Sequence, residues 1–531
     1  MEEQTKEVLA NNEGSSLEEI HNIKDQHKKK SIKKNYFYNL TYQLFSLIVP
    51  LIVTPYVSRV LTPEGVGQYS FSFSLITYFT IVGALGFGNY AQREIAKHQG
   101  DVKAQSKSFW EIVICRLIPV ALSLIVNIIL CVLKVYDIYT SLMWIFNINI
   151  IAIAFDIAFL YQGNEEFGKL VLRNLIVKTI SIVLIFLLVK TYDDLWIYTL
   201  INAGSVILSN LIMWGVCYKY LAKIKVNILR PLRHLKGTFI LFLPTIATSI
   251  YTVLDKTLIG LLITDTYEAE IKKTIDGVTI ITTVTKKYSD LENGYYEQSE
   301  KLIKMAMTII TSIGTVMIPR NSREFASGNI DKVRKNINIS SKLVLLFGVP
   351  LTLGFISIAS MIVPWFFGLR YDKCTILLRI LAPLIIIIGF SNVLGLQYLL
   401  PCGKDKQFTL ALILGSVLNL ILNIFFIKIW WGIGAAIATV IAESVVSLVM
   451  AIMVRKEVNI LKILLGGWKY YISGAIMFLT CYFLSTIFNP TILYTFIVII
   501  IGGFTYFFVL IILREKYIIQ AIKKIIVKFI S

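Results

Sequence analysis

Several charged residues stand in stretches otherwise apolar enough to enter a lipid bilayer. Arg116, Asp156, Lys178, Asp255, Lys256 and Glu443 fall inside such runs, and Arg59 and Arg379 lie nearer their ends. A charge at mid-bilayer costs roughly 2.5–3.5 kcal/mol on insertion scales, so side chains of this kind face a water-filled cavity or a partner. For the acids the plain reading is an ion pair between helices, Asp156 with Lys178 for example. The cations have a second reading. In a cavity they replace the water around a phosphate-bearing ligand, and arginine matches phosphate oxygens with its planar fork. The four histidines (His21, His27, His98, His234) all fall in polar segments. The six cysteines (Cys115, Cys131, Cys217, Cys374, Cys402, Cys481) show no CxxC spacing. Neither a zinc site nor a catalytic cluster can be assembled from them. The cysteines read as buried structural thiols. No cofactor, metal or catalytic residue is expected, and the chain does not read as an enzyme.

The elements that position these charges are membrane spans. Of 531 residues 56% are hydrophobic and 16% charged, where a soluble chain carries about 25% charged residues; mean hydropathy is +0.70. The fold class is an all-α polytopic membrane protein. A span needs about 20 mostly apolar residues. Such runs lie near 36–58, 66–90, 109–133, 139–161, 170–190, 194–217, 238–263, 302–319, 342–367, 375–398, 408–428, 431–454, 467–487 and 490–513, about 14 in all. Residues 1–34 hold no apolar core, so no cleavable signal peptide is expected there, and they read as a disordered cytoplasmic segment.

The net charge of +19 sets orientation and does not point to nucleic acid. With the N-terminus inside, the inner loops collect Lys28, Lys29, Lys30, Arg93, Lys97, Arg230, Arg233, Arg320, Arg323, Arg334, Lys335, Arg455, Lys456, Lys523 and Lys524. Most outer loops hold one basic residue or none, which is the positive-inside pattern. Both ends are therefore expected in the cytoplasm. Residues 514–531 interleave lysines with isoleucines at helical spacing and read as an amphipathic basic tail on the inner leaflet.

Pro50, Pro55 and Pro63 cluster at the first span. Pro50 and Pro55 weaken its backbone ladder, giving either a hinge or a static kink filled by neighbours; Pro63-Glu64-Gly65 reads as the turn into the next span. Pro50 followed by Gly67-Gln68-Tyr69 has a counterpart in Pro244 followed by Gly294-Tyr295-Tyr296. The offset is six spans, an even number, so two halves of like orientation are expected, the plan of a parallel repeat.

The stretch KKNYFYNLTYQLFSLIVPLIVTPYVSRVLTPEGVGQYSFSFSLITYFTIVGALGFGNYAQREIAK (33–97) resembles the opening of the oligosaccharide flippases. These form the polysaccharide-transport branch of the multidrug/oligosaccharidyl-lipid/polysaccharide exporter superfamily. ENGYYEQSEKLIKM (292–305), IGTVMIPRNSREFASGN (313–329) and YLLPCGKDKQF (398–408) resemble the family's later segments. The resemblance implies two six-helix bundles around a central cavity (35–220 and 221–455), two further helices (456–513), and alternating access. It implies transfer of an undecaprenyl-pyrophosphate-linked oligosaccharide to the outer leaflet of the bacterial cell membrane for polysaccharide biosynthesis. The implied partners are that lipid-linked oligosaccharide, membrane lipids, a polysaccharide polymerase and a coupling ion, sodium or proton. Arg59, Arg116, Lys178, Lys256, Arg379, Asp156, Asp255 and Glu443 become candidates for the cavity wall. Tyr42, Tyr69, Tyr78 and Tyr161 are candidates to stack on sugars. The alternative is a cation-coupled multidrug exporter of the same superfamily. Such an exporter wants a compact acidic cluster, whereas here the acids are scattered and the cations at least as numerous.

One departure is the outer segment 264–293, longer than the family leads one to expect. Within it EAEIKKTIDGVTIITTVT (268–285) sets Asp276-Gly277 between stretches rich in Ile, Thr and Val. The pattern predicts a β-hairpin over the cavity mouth.

Overall fold

The computed structural model describes residues 45, 47–225, 230–275 and 278–520. Among them eleven helical runs are long and apolar enough to cross a bilayer. Two of these are double. The run Leu47–Lys97 has 51 residues, about 77 Å if straight, against a hydrocarbon core of about 30 Å. It is interrupted at Thr62, whose φ of 60° lies in the left-handed region that branched residues rarely enter. The result is α1 (47–61) and α2 (63–84), followed by α3 (Phe87–Lys97). Pro63 opens α2, where a fixed φ and a missing N–H are tolerated. The turn expected over Pro63-Glu64-Gly65 is thus compressed onto Thr62, and those three residues form the first turn of α2.

Next come α4 (Val102–Val132), α5 (Thr140–Ala154), α6 (Ala158–Gly163), α7 (Phe167–Leu188) and α8 (Leu195–Cys217). Helix α9 (Leu235–Leu262) leads to strands β1 (Thr266–Ile275) and β2 (Val278–Lys287). The strands pair antiparallel from Thr266↔Lys287 to Ile275↔Val278. This is the expected hairpin; its turn residues Asp276-Gly277 lie outside the described residues.

Helices α10 (Tyr288–Ala326), α11 (Ile330–Phe366), α12 (Cys374–Leu381) and α13 (Leu384–Leu394) follow. The second double run, Asp405–Val454, breaks at Trp431 (φ 54°, ψ −129°) into α14 (405–430) and α15 (432–454). These lie side by side. A Cβ on Gly415 would stand 2.1 Å from Val446 Cγ2, and one on Gly434 2.1 Å from the Phe426 carbonyl oxygen. Helices α16 (Ile460–Gly466), α17 (Trp468–Ile487) and α18 (Ile492–Ile512) complete the fold. With α9 counted and the two double runs divided, the crossings come to about the fourteen expected. The N-terminal segment 1–34 and most of the tail, 521–531, lie outside the described residues.

Packing differs between the halves. From α9 onward a single apolar core runs from Ile259 to Leu510. Before α9 there are two cores. One, with Val57, Leu61, Phe146, Ile150, Ile185 and Ile201, lies towards the hairpin side. The other, with Phe87, Phe109, Ile157, Leu170 and Met213, lies towards the opposite side. Helices α4, α7 and α8 contribute to both. The cysteines are free thiols, all buried except Cys402, which is partly buried.

Candidate functional site

The gap between the two N-terminal cores is a polar cavity of about 490 Å³. Its wall includes Pro50 of α1, Asn149 and Asp156 at the end of α5, Arg173, Asn174 and Lys178 of α7, and Ser205, Ser209 and Asn210 of α8. The adjoining span is broken there, between α5 and α6. A break in lipid leaves backbone groups that must be satisfied from elsewhere, and side chains do this. Asn210 Nδ2 donates to the Ala152 carbonyl at 2.8 Å, Trp214 Nε1 to that of Phe155 at 2.8 Å, and Arg116 Nη2 to that of Ala154 at 3.2 Å. Asp156 Oδ1 accepts from the Ala158 amide at 2.9 Å, capping α6. Arg116 is buried, 2% exposed, and lies 5.5 Å from the Phe159 ring centre. It is a cation at a helix C-terminus, the end that favours one.

Discontinuous helices whose ends turn into a cavity are a feature of transporter substrate and ion sites. The span six positions later is broken as well, between α12 and α13 at Ala382-Pro383. There Thr352 Oγ1 donates to the Ala382 carbonyl at 3.3 Å.

In the C-terminal half a smaller cavity of about 150 Å³ is lined by Thr252 and Asp255 of α9, Tyr296, Glu300 and Lys304 of α10, and Thr439 and Glu443 of α15. Asp255 is buried and receives three bonds: Tyr296 Oη at 2.5 Å, Thr439 Oγ1 at 2.7 Å and Asn423 Nδ2 at 2.7 Å. Beside it Lys256 pairs with Glu297 and, at 3.0 Å, with Glu300. Lys301 reaches Glu297 at 3.5 Å and Lys304 reaches Glu300 at 2.7 Å. Ser70 of α2 donates to Glu297 at 3.1 Å. Lys301 is also an electrostatic neighbour of Lys178 across the halves. This wall therefore sets Lys256, Lys301 and Lys304 against Glu297 and Glu300, with Asp255 and Glu443 beside them, whereas the larger cavity carries Arg173 and Lys178 against Asp156.

On the hairpin side the two halves touch through glycine. A Cβ on Gly67 would stand 1.7 Å from the Asp290 carbonyl oxygen, and one on Gly294 2.0 Å from that of Pro63. The glycines of the two Gly-x-Tyr motifs thus meet each other's main chain. Buried acids surround this junction. Glu64 accepts from Arg370 at 2.5 Å, Thr62 at 2.7 Å and Tyr267 at 3.1 Å, with Lys286 at 3.7 Å. Asp290 accepts from Tyr139 at 2.7 Å and Gln68 at 3.1 Å. Glu292 accepts from Lys373 at 2.5 Å and from the Gly432 amide at 3.1 Å. The base of the hairpin, through Tyr267, Lys286 and Lys287, grips the N-terminal half at Glu64 and Asp137.

The residues singled out by sequence divide accordingly. Pro50, Asp156 and Lys178 share the larger cavity, and Asp255 and Glu443 the smaller. Asp156 and Lys178 make no ion pair with each other among the described residues. Arg59 is exposed and bonds the Trp365 carbonyl at the end of α11, and Arg379 is exposed with Nε on the Ile356 carbonyl at 3.2 Å; neither lines these cavities. Tyr69 packs edge-on to Tyr198 at 4.9 Å, and Tyr78 bonds Thr257 at 3.0 Å. Tyr161 is fully buried with its hydroxyl on the Met213 carbonyl, so it faces no cavity. Tyr42 lies outside the described residues.

Sequence reasoning missed Glu297, Glu300 and Lys301, which with Lys304 form one set, because span eight was expected to begin at 302. Their spacing of i, i+3, i+4 and i+7 is one helical face, a signal that a helix starting earlier would have revealed. It also missed Glu111 at the far end, fully buried in α4, which pairs Arg233 at 2.6 Å and His234 at 3.0 Å.

A polytopic helical bundle with broken spans and charged intramembrane cavities defines a membrane transporter fold. Residues 32–325 match the family described as polysaccharide biosynthesis protein; the chain belongs to that family. It is 24% identical over 435 residues to a protein of Escherichia coli (strain K12) named "Putative O-antigen transporter", covering 81% of this chain and 98% of that one. Two solved structures share its fold. The lipid II flippase MurJ in an inward closed conformation covers 90% of this chain and 99% of its own, at TM-score 0.67 and 17% identity. A MATE-family multidrug resistance transporter in an inward-facing conformation covers 80% of this chain and 98% of its own, at TM-score 0.60 and 12% identity.

Proposed function

We propose that the chain is a flippase that carries an undecaprenyl-pyrophosphate-linked oligosaccharide from the inner to the outer leaflet by alternating access. The observation that carries this reading is the polar cavity held between two apolar cores, whose wall carries two cations, Arg173 and Lys178, against one acid, Asp156. Positive charge in a partly dehydrated space suits a diphosphate, because it replaces the headgroup's water. The name of the Escherichia coli relative supports the same class of cargo. The translocated unit would pass to a polysaccharide polymerase.

Lys178 is the residue to test, since it lines the cavity and makes no ion pair among the described residues. Lys178→Ala is expected to cut export roughly tenfold, the loss of about 1.4 kcal/mol in charge stabilisation, at unchanged membrane abundance. Lys178→Arg should keep most of it. Complementation of a flippase-deficient strain, read beside immunoblots of the membrane fraction, measures both. Full export by Lys178→Ala would remove this cavity from the cargo path.

The Asp255 cluster supports cation coupling. Its carboxylate is surrounded by hydroxyl and amide groups, and the side-chain amide of nearby Asn419 has no partner among the described residues. Sodium or a proton is the coupling species of this reading, and the same cluster is the one feature that favours a cation-coupled multidrug exporter. The cation excess of the larger cavity, Arg173 and Lys178 against Asp156, favours an anionic cargo over a cationic drug.

We further infer that both termini are cytoplasmic, in the bacterial cell membrane, from the placement of lysine and arginine. Cysteines introduced at Lys30 and Lys524 should resist an impermeant thiol reagent in intact cells and react after permeabilisation. Labelling of either from outside would reverse the orientation.

A further inference from the structure

Two cavities flank the short helix α16 on the side of the molecule opposite the hairpin. The first, about 380 Å³, is lined by Arg334, Asn338 and Lys342 of α11, by Glu457, and by Lys462 of α16. Arg334, Asn338 and Lys342 are spaced by four and so form one row down α11. Glu457 adds no free negative charge here, because Lys404 holds it at 2.5 Å and Tyr398 donates to it at 2.6 Å. Arg334 also carries a pair to the highly exposed Asp331, which solvent screens. The cavity is thus cationic.

The second, about 280 Å³, is apolar. Leu345 of α11, Phe390 and Leu394 of α13, Leu448 of α15 and Ile460 and Leu464 of α16 line it. Leu345 lies three residues beyond Lys342 on the same helix, about 4.5 Å deeper, so the basic row passes directly into the apolar one. Leu461 (68% exposed), Leu465 (67%) and Trp468 (48%) point away from the protein. An exposed apolar face of this kind, with lysine and tryptophan beside it, lies at a membrane–water interface.

We propose that these paired cavities bind an anionic glycerophospholipid of that leaflet (the inner one in the orientation proposed above). The phosphate sits among Arg334, Lys342 and Lys462, and an acyl chain runs past Leu345 into the groove beside α16. Basic pockets between spans at the cytoplasmic face recognise anionic headgroups in this way. The chain's own tail is the other available occupant, since Tyr517 already lies over Lys342 at 5.5 Å. Its continuation carries Lys523, Lys524 and Lys528, charges of the same sign as the cavity, which disfavour it as the occupant. An anion is attracted by both.

The test uses the purified full-length chain in detergent micelles, unfolded by heat with added lipid. Dioleoyl-phosphatidylglycerol is expected to raise the midpoint saturably, and dioleoyl-phosphatidylcholine is not. Each neutralised cation should weaken the apparent affinity about fivefold, so R334A/K342A/K462A should lose it by about a hundredfold while keeping the wild-type midpoint in phosphatidylcholine. Lys462→Met alone, at an exposed position, gives the fivefold step if the triple variant folds poorly. Ser447→Trp, which fills the groove, should also lose the shift. Soluble glycerol 1-phosphate should give none. Three results would overturn the proposal: an unchanged phosphatidylglycerol response in both cation variants, an equal response to glycerol 1-phosphate, or loss of the response in K523Q/K524Q/K528Q alone.

Discussion

Gly294→Ala is expected to reduce export on the order of tenfold to a hundredfold, and Gly67→Ala by a similar amount. The added Cβ would stand 2.0 Å from the Pro63 carbonyl oxygen, or 1.7 Å from that of Asp290. Both obstacles are main chain, so no rotamer change relieves them. Overpacking of a tight contact costs about 1–3 kcal/mol and at times more, and each 1.4 kcal/mol is a factor of about ten in a population. What is lost is the state in which the halves meet on the hairpin side, a state that the alternating access proposed above must visit. Gly88→Ala is the control, because nothing stands within 4 Å of its Cβ position, and it should be neutral. The readout is surface polysaccharide in a flippase-deficient strain, with membrane abundance beside it. Normal export by Gly294→Ala would show that this junction need not close.

Lys256→Ala should act differently, by lowering the amount of folded protein. Lys256 is 13% exposed and bridges Glu297 and Glu300, themselves 17% and 14% exposed. Its removal leaves two carboxylates close together with only Lys301 and Lys304 for compensation. Breaking a buried pair from one side costs about 3–5 kcal/mol, whereas replacing all partners by neutral groups is close to neutral. Combining Lys256→Met with Glu297→Gln and Glu300→Gln should therefore restore abundance that Lys256→Ala loses. Thermal unfolding of the purified variants measures this directly. If Lys256→Ala instead keeps wild-type stability and loses export, Lys256 acts on the cargo.

The spans were legible because a run of about 20 apolar residues has few alternative meanings. The hairpin was legible because Asp276-Gly277 between β-rich stretches specifies a two-residue connection. Failures came where polar residues lie on one face of a membrane helix. Glu292, Glu297, Glu300 and Lys301 lower the local hydropathy, so 288–301 read as loop, yet they are the start of α10. The break at Phe155-Asp156 carries no strong local signal, and the one at Ala382-Pro383 is marked only by its proline, which can equally leave a kinked helix unbroken. Their backbone groups are satisfied by Arg116, Asn210, Trp214 and Thr352, which are distant in sequence. For the same reason Arg116 was legible as an intramembrane charge and a candidate for the cavity wall, but not as the donor to the Ala154 carbonyl. The pairing of Gly67 with Gly294 was visible as a repeated motif but not as a contact, because a repeat states equivalence and only the fold states proximity.

The hairpin also offers a practical opening. Thr266 and Lys287, where it leaves and rejoins the helices, are directly paired, so their Cα atoms are about 4.5–5.5 Å apart. Strands between two such fixed ends satisfy their own amides in water and add nothing to the distance between α9 and α10. A folded domain spliced between Ile275 and Val278 would therefore be carried on two hydrogen-bonded strands and not on a loose tether. For a polytopic membrane protein such a rigid mast would supply the alignment feature that particle imaging by electron microscopy requires.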